Sequence, residues 1–266
     1  MPNSESLFRG VGVALASLFD DAGALDVAAT VAHAERLVER GVRAVLVAGT
    51  TGEFWSLSES DRTALVTAIR KALPSNIPVM AGTGANSTTA AVRLTSAAVQ
   101  AGADAVLVLP PRGSLEILDY YNAVGDAAAG RPVIGYHMPL ISPPGLAVEQ
   151  LDALPIQGIK DSSLEPRRLL AELDLFKGYI YTGVDSLLSY AGPLGCAGAF
   201  GALANVEPEL SIAAFGGNAA AQRRLAPIER AALEQFPVGL KKLMNRQFGT
   251  STALGRGTAA FLKGEA

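Results

Sequence analysis

A lysine, a tyrosine and a pair of threonines each close a short apolar run, and these residue types can do chemistry together. Lys160 lies in QGIKDSS (157–163), Tyr136 in PVIGYHM (132–138), and Thr50 and Thr51 in the glycine-bounded turn GTTGE (49–53). A lysine rarely enters a protein interior unless something offsets its desolvation. One at the end of a buried strand is either where that strand surfaces or an amine held for a reaction. A lysine amine attacks a carbonyl only when unprotonated, and burial is what draws the pKa of such a group down. The Schiff base it forms with a 2-keto acid, once protonated, is an electron sink for the adjacent carbanion. A neighbouring phenol suits proton transfer. Hydroxyl and backbone donors in a turn such as GTTGE suit a carboxylate. Taken singly, each residue also has a plain reading: a solvated lysine, a core ring with a wet tip, a tight strand-to-helix turn.

What would position them is an alternation of short apolar runs with longer amphipathic ones. Eight strand-like runs stand out: 11–19, 43–49, 78–84, 105–110, 132–138, 157–163, 179–185 and 197–203. They are nearly continuously apolar, as strands buried on both faces must be. Helical spacing fills the gaps. Asp26–Arg40 ends at Gly41, Ser58 with Asp61 three residues on can cap a helix closed by Pro74, and Ser87–Gln100 ends at Ala101-Gly102. Eight β-then-α units call for parallel strands with right-handed crossovers. A (β/α)8 TIM barrel over residues 1–205, with a C-terminal helical extension over 206–266 packed on it, leaves no sheet edge. The helices of that extension are expected near 208–215, 218–235 and 237–247. A doubly wound open sheet is the alternative. In a barrel, Tyr136 and Lys160 end consecutive strands about 5 Å apart, on the face where barrel enzymes carry their sites.

Bulk properties exclude several classes. The 266 residues are 49% hydrophobic and 18% charged, with a net charge of −3, so no basic surplus points to nucleic acid or an anionic membrane. Ser186 to Val206 carries no charge over a membrane-spanning length, but Pro193 and repeated glycines break it into a helix end, a turn and a strand. Cys196 is the only cysteine, which suits a reducing compartment, and MPNSESLFRG has no secretory pattern; cytoplasm is the expected location. No metal or other cofactor is expected: His33 lies in a helical pattern, His137 is isolated, and Cys196 has no partner at ligand spacing. Gly82-Thr83-Gly84 resembles half of a nucleotide-binding loop but lacks the rest of its fingerprint.

In combination these motifs resemble the dihydrodipicolinate synthase/N-acetylneuraminate lyase family of Schiff-base barrels. The resemblance runs from about Gly10 into the C-terminal helices. It is carried by GTTGE (49–53) followed by Leu57-Ser58, AGTGANST (81–88), GADAVLV (102–108), Tyr136-x-x-Pro139, GIKDSS (158–163), TGVD (182–185) and GALANV (201–206). It implies that Lys160 forms the imine and that Tyr136 is the catalytic tyrosine. It further implies that Thr50 relays protons to Tyr136, that Thr51 beside Gly49 binds the carboxylate, and that the main chain at Phe200 faces the keto acid. A 2-keto acid and an aldehyde are the implied partners, and a homotetramer or homodimer the implied assembly.

Two departures bear on the substrate. Synthases of that family typically carry Thr-Pro-Tyr-Tyr after the fourth strand, the second tyrosine entering a neighbouring subunit's site; here the stretch is Leu109-Pro110-Pro111-Arg112. They usually place an arginine soon after Tyr-x-x-Pro; here Leu140-Ile141-Ser142 follows, and His137 replaces a common asparagine. The expected activity is therefore a class I carbon–carbon lyase or synthase on pyruvate or a related 2-keto acid, with a 2-keto-3-deoxy acid aldolase fitting better than the synthase. A dehydratase of a keto-deoxy sugar acid would use the same imine. A keto-acid-binding barrel without turnover, and an NAD-dependent α/β enzyme suggested by the glycine turns, are the readings from other classes.

Overall fold

Strands form where the sequence runs apolar: β1 (Gly10–Ala14), β2 (Val45–Val47), β3 (Val79–Gly82), β4 (Ala105–Val108), β5 (Val133–His137), β6 (Gly158–Asp161), β7 (Tyr179–Thr182) and β8 (Gly198–Gly201). In this computed structural model, which describes residues 6–113 and 116–255, they pair in parallel and in chain order, and β8 returns to β1 to close a barrel. Seven lie inside the runs expected to be strands, and β1 begins one residue before its run of 11–19. The outer ends of the two expected segments, 1–5 and 256–266, lie outside the described residues.

The helices begin where side chains can satisfy their first backbone donors. Asp26 caps α1 (Val27–Glu39), and Ser87 caps α3 (Thr88–Gln100). At α2 (Glu59–Ala72) the Ser58 hydroxyl accepts from Asp61 N at 3.1 Å, while the Asp61 carboxylate accepts from Ser58 N at 2.9 Å. This reciprocal box satisfies two donors that the helix cannot. Then come α4 (Ile117–Ala127), α5 (Pro166–Leu175) and α6 (Leu188–Ala191). The β5–β6 connection carries only a 3₁₀ segment, Val148–Ala153, after Pro143-Pro144-Gly145. The uncharged stretch 186–206 is divided among α6, a turn and β8, and among the described residues no helix is long and apolar enough to cross a membrane.

After β8 the chain forms α7 (Pro208–Phe215), α8 (Ala219–Leu233) and α9 (Val238–Phe248), close to the expected ranges. An Arg40–Glu209 ion pair of 3.2 Å ties α7 to the end of α1. Leu225 of α8 and Leu240 and Met244 of α9 share an apolar cluster with Ala16 and Leu18, which follow β1. The extension therefore packs against loops at the C-terminal end of the barrel.

Inside the barrel, Phe8 stacks on Tyr181 at 4.8 Å and meets Phe200 edge-on at 4.9 Å. Gly12 makes room for them: a Cβ there would come within 2.7 Å of the Phe200 ring. Because Phe8 precedes β1, these rings plug the N-terminal end and leave the C-terminal end for a site.

Ser58→Ala removes one half of the box at α2, the helix that directly follows the GTTGE turn. We expect a loss of about 1 kcal/mol, read as a drop of about 2 °C in Tm; an unchanged Tm would show that the box contributes nothing.

Candidate active site

Lys160 sits third in β6, paired in register with Tyr136 of β5 on one side and Tyr181 of β7 on the other. Side chains alternate along a strand. Lys160 therefore points inward with both tyrosines, while Asp161 points outward. Lys160 is 4% exposed and Tyr136 5%, and the Lys160 Nζ lies 4.6 Å from the centre of the Tyr136 ring. Gly183 at the end of β7 keeps space for the amine's stem; a Cβ there would come within 2.6 Å of Lys160 Cε.

Behind β6 the outward face is held by charge. Asp161 accepts from Ser163 N at 2.8 Å, and Arg168 of α5 lies 3.9 Å from Asp161 and 2.9 Å from Glu172. Burial, with Asp161 adding, pushes the Glu172 carboxyl up to about 8. His137 also points outward. Its Nδ1 accepts from Leu146 N at 3.0 Å, and burial, reinforced by Arg168, pulls the ring down to about 4. His137 thus anchors the β5–β6 connection rather than facing the amine.

The GTTGE turn brings the threonines to the same mouth. Its backbone folds on itself through Gly52 N and Phe54 N donating to Gly49 O, and Glu53 is left-handed at φ 52°. Thr50 Oγ1 lies 3.4 Å from Tyr136 Oη, within weak hydrogen-bond reach, and Thr51 is buried. A recess of about 20 Å³ beside Tyr136, room for one water, is lined by Gly49, Thr50, Phe54, Arg62, Gly84 and Leu109. Glu53 turns away from it into a fully buried ion pair with Lys241 of α9. That amine also donates to Ala253 O at 2.7 Å, and Glu53 accepts from Gly255 N at 3.1 Å. Phe200 contributes its ring to the aromatic plug, leaving its main chain at the end of β8. Arg112 stands exposed on the β4 loop. Tyr120 and Tyr121 are spent on structure: their hydroxyls bond to carbonyls of Ala85, Leu109 and Val108.

With this geometry in place, comparison with known proteins is direct. Residues 7–248 match the Dihydrodipicolinate synthetase family. The chain belongs to that family. It is 34% identical over 243 residues to an uncharacterized DapA-like lyase of Halobacterium salinarum, covering 88% of this chain and 80% of that one. It is 33% identical over 265 residues to the 4-hydroxy-tetrahydrodipicolinate synthase of Salinibacter ruber, covering 89% and 85%. A dihydrodipicolinate synthase from Acinetobacter baumannii, solved with pyruvate, superposes with a TM-score of 0.83 at 25% identity, covering 97% and 96%. The chain is a lyase of the class I aldolase type found in the dihydrodipicolinate synthetase family.

Two residues at this family site gained no role from the sequence. Met138, two residues beyond Tyr136, accepts from the Tyr136 hydroxyl at 2.8 Å. Asp185 follows β7; its Oδ2 accepts from Ala202 N and Leu203 N, and its Oδ1 is buried without a hydrogen-bond partner. Burial raises the Asp185 carboxyl to about 7, the two backbone donors oppose that, Glu229 adds to it, and Lys160 lowers it again. The signal for Asp185 was its place at a strand end in TGVD; nothing in the local pattern marks Met138.

A carboxyl raised on folding from 3.8 to about 7 weakens the folded state as pH climbs between those values. Asp185→Asn removes that loss. Between pH 5 and pH 8 the variant's unfolding free energy should gain about 3 kcal/mol relative to the parent, measured by urea melts; a pH-independent difference would show that Asp185 ionises normally.

Proposed function

We propose that this lyase forms a Schiff base between Lys160 and pyruvate or a closely related 2-keto acid, and makes or breaks a carbon–carbon bond next to the imine. The observation that carries this reading is the buried Lys160 amine 4.6 Å from the Tyr136 ring centre, with Thr50 at the Tyr136 hydroxyl. Lys160 Nζ attacks the ketone carbon, giving a carbinolamine. Loss of water yields the imine, which once protonated withdraws electrons from the neighbouring carbon. Tyr136, backed by Thr50, carries protons during dehydration and bond cleavage or formation. Thr51 and the backbone beside Gly49 hold the carboxylate, and the Phe200 main chain closes the keto acid's other side.

The chemistry of the rim bears on the second substrate. Ser142, in the stretch where related synthases carry an arginine, donates instead to Pro110 O at 2.6 Å. Leu109 and Met138 stand where the β4 and β5 loops approach Tyr136. This rim supports a 2-keto-3-deoxy acid aldolase ahead of a dihydrodipicolinate synthase, because the stretch after Tyr136-x-x-Pro139 offers no charge to grip a second substrate's carboxylate. Assembly into a homodimer or homotetramer rests on the resemblance to the family.

Borohydride reduction with pyruvate, followed by peptide mass spectrometry, tests the imine without requiring the aldehyde. A reduced adduct on the Lys160 peptide, absent in Lys160→Ala, is expected; no adduct on Lys160 would refute the assignment. A panel of aldehydes and keto-deoxy acids with coupled pyruvate detection then separates a lyase from a barrel that only binds. Tyr136→Phe, which keeps the ring, should fold normally and lose about a hundredfold or more in turnover; near-parental turnover would remove Tyr136 as the proton carrier.

A further inference from the structure

We propose that Met138 is a reversible oxidation site whose sulfoxide switches off Tyr136. Three observations carry it. The Met138 sulfur accepts directly from the Tyr136 hydroxyl at 2.8 Å and lies 3.9 Å from Thr50 Oγ1, so it touches both ends of the hydroxyl pair. Met138 is half-buried at the barrel mouth, whereas Met80 and Met244 are fully buried, so among the described residues it is the methionine an oxidant can reach. The one thiol does not compete: Cys196 is buried, and burial with the nearby Glu172 and Asp161 carboxyls pushes it up to about 12, leaving little thiolate.

The oxidant is a hydroperoxide. Its O–O bond breaks, one oxygen bonds to the Met138 sulfur, which gives up two electrons, and the other oxygen leaves as water or an alcohol. The product is a polar sulfoxide where an apolar thioether stood. Two consequences follow for Tyr136. The sulfur is already in contact with the phenol, so an oxygen added on that side displaces one of the two. A sulfoxide oxygen is also a far stronger acceptor than a thioether, which accepts weakly. It therefore holds the Tyr136 proton, which the thioether accepts only weakly, more tightly than before, and dehydration to the imine slows. Reduction of the sulfoxide restores the thioether. The oxidation site stands on the exposure and contacts of Met138; its effect rests on the proposed role of Tyr136 in imine formation.

The test uses the full chain, treated with dilute hydrogen peroxide and then desalted. Peptide mapping over time should show one added oxygen on Met138 before Met80 or Met244, and methionine sulfoxide reductase should remove it. The rate of borohydride-trapped pyruvate adduct on Lys160 should fall about tenfold or more in the oxidised protein and recover after the reductase. Met138→Leu, compared with its own untreated rate, should not respond to peroxide. Oxidation of Met80 or Met244 as fast as Met138 would overturn the site. A Met138 sulfoxide that leaves the trapping rate unchanged, or an equal peroxide loss in Met138→Leu, would overturn the switch. If untreated protein traps no pyruvate, the Schiff-base reading fails and the switch with it, while the map still decides the oxidation site.

Discussion

The register between β5 and β6 is the constraint on which the site depends. Tyr136 and Lys160 face each other across a parallel pair, and because side chains alternate, a slip of one residue would turn Lys160 outward and bring Asp161 in. Burial on both faces prevents that slip. Inward, Ile134, Tyr136 and Tyr181 pack with the aromatic plug; outward, Asp161 lies 3.9 Å from Arg168 and accepts from Ser163 N, partners it would lose in the barrel interior. A buried amine close to a phenol is thus a product of strand pairing, and closing the barrel fixes it from β7 as well.

A second layer reaches the site from the far end of the chain. Glu53 is three residues from Thr50, and its carboxylate is buried against Lys241 of α9 while also accepting from Gly255 N. Burying both charges is costly, and a hydrophobic pair of similar size often holds a fold as well. The benefit here is geometric. A left-handed Glu53 and a turn hydrogen-bonded to itself give Thr50 one position, from which its hydroxyl meets Tyr136. The C-terminal helices, which pack over loops at the mouth, therefore belong to the architecture of the site as much as the barrel does.

Much of this was legible in the sequence because it is written locally. Apolar runs bounded by glycine and proline marked all eight strands, Ser58 with Asp61 marked a helix start, and Lys160 was conspicuous as a charge closing an apolar run. The family's motifs then singled out Lys160, Tyr136 and the threonine pair, which the fold brings to one barrel mouth. What stayed hidden depends on contacts between distant segments. Lys241 and Glu53 are an ordinary lysine and glutamate until α9 folds back over the turn. Met138 is one more apolar residue until the strand end curls its sulfur onto a phenol. Asp185 lay in a motif, yet its unpartnered buried oxygen and its nearness to Lys160 arise only when β6, β7 and β8 come together.

The central claim is a covalent bond between the Lys160 nitrogen and the carbonyl carbon of a 2-keto acid. A crystal structure of the protein soaked with pyruvate tests it most directly. The account predicts continuous density from Lys160 Nζ into the keto acid, with the carboxylate on Thr51 and the Tyr136 hydroxyl at the new bond. Pyruvate lying unbonded beside an intact amine, or bound away from the barrel mouth, would contradict it.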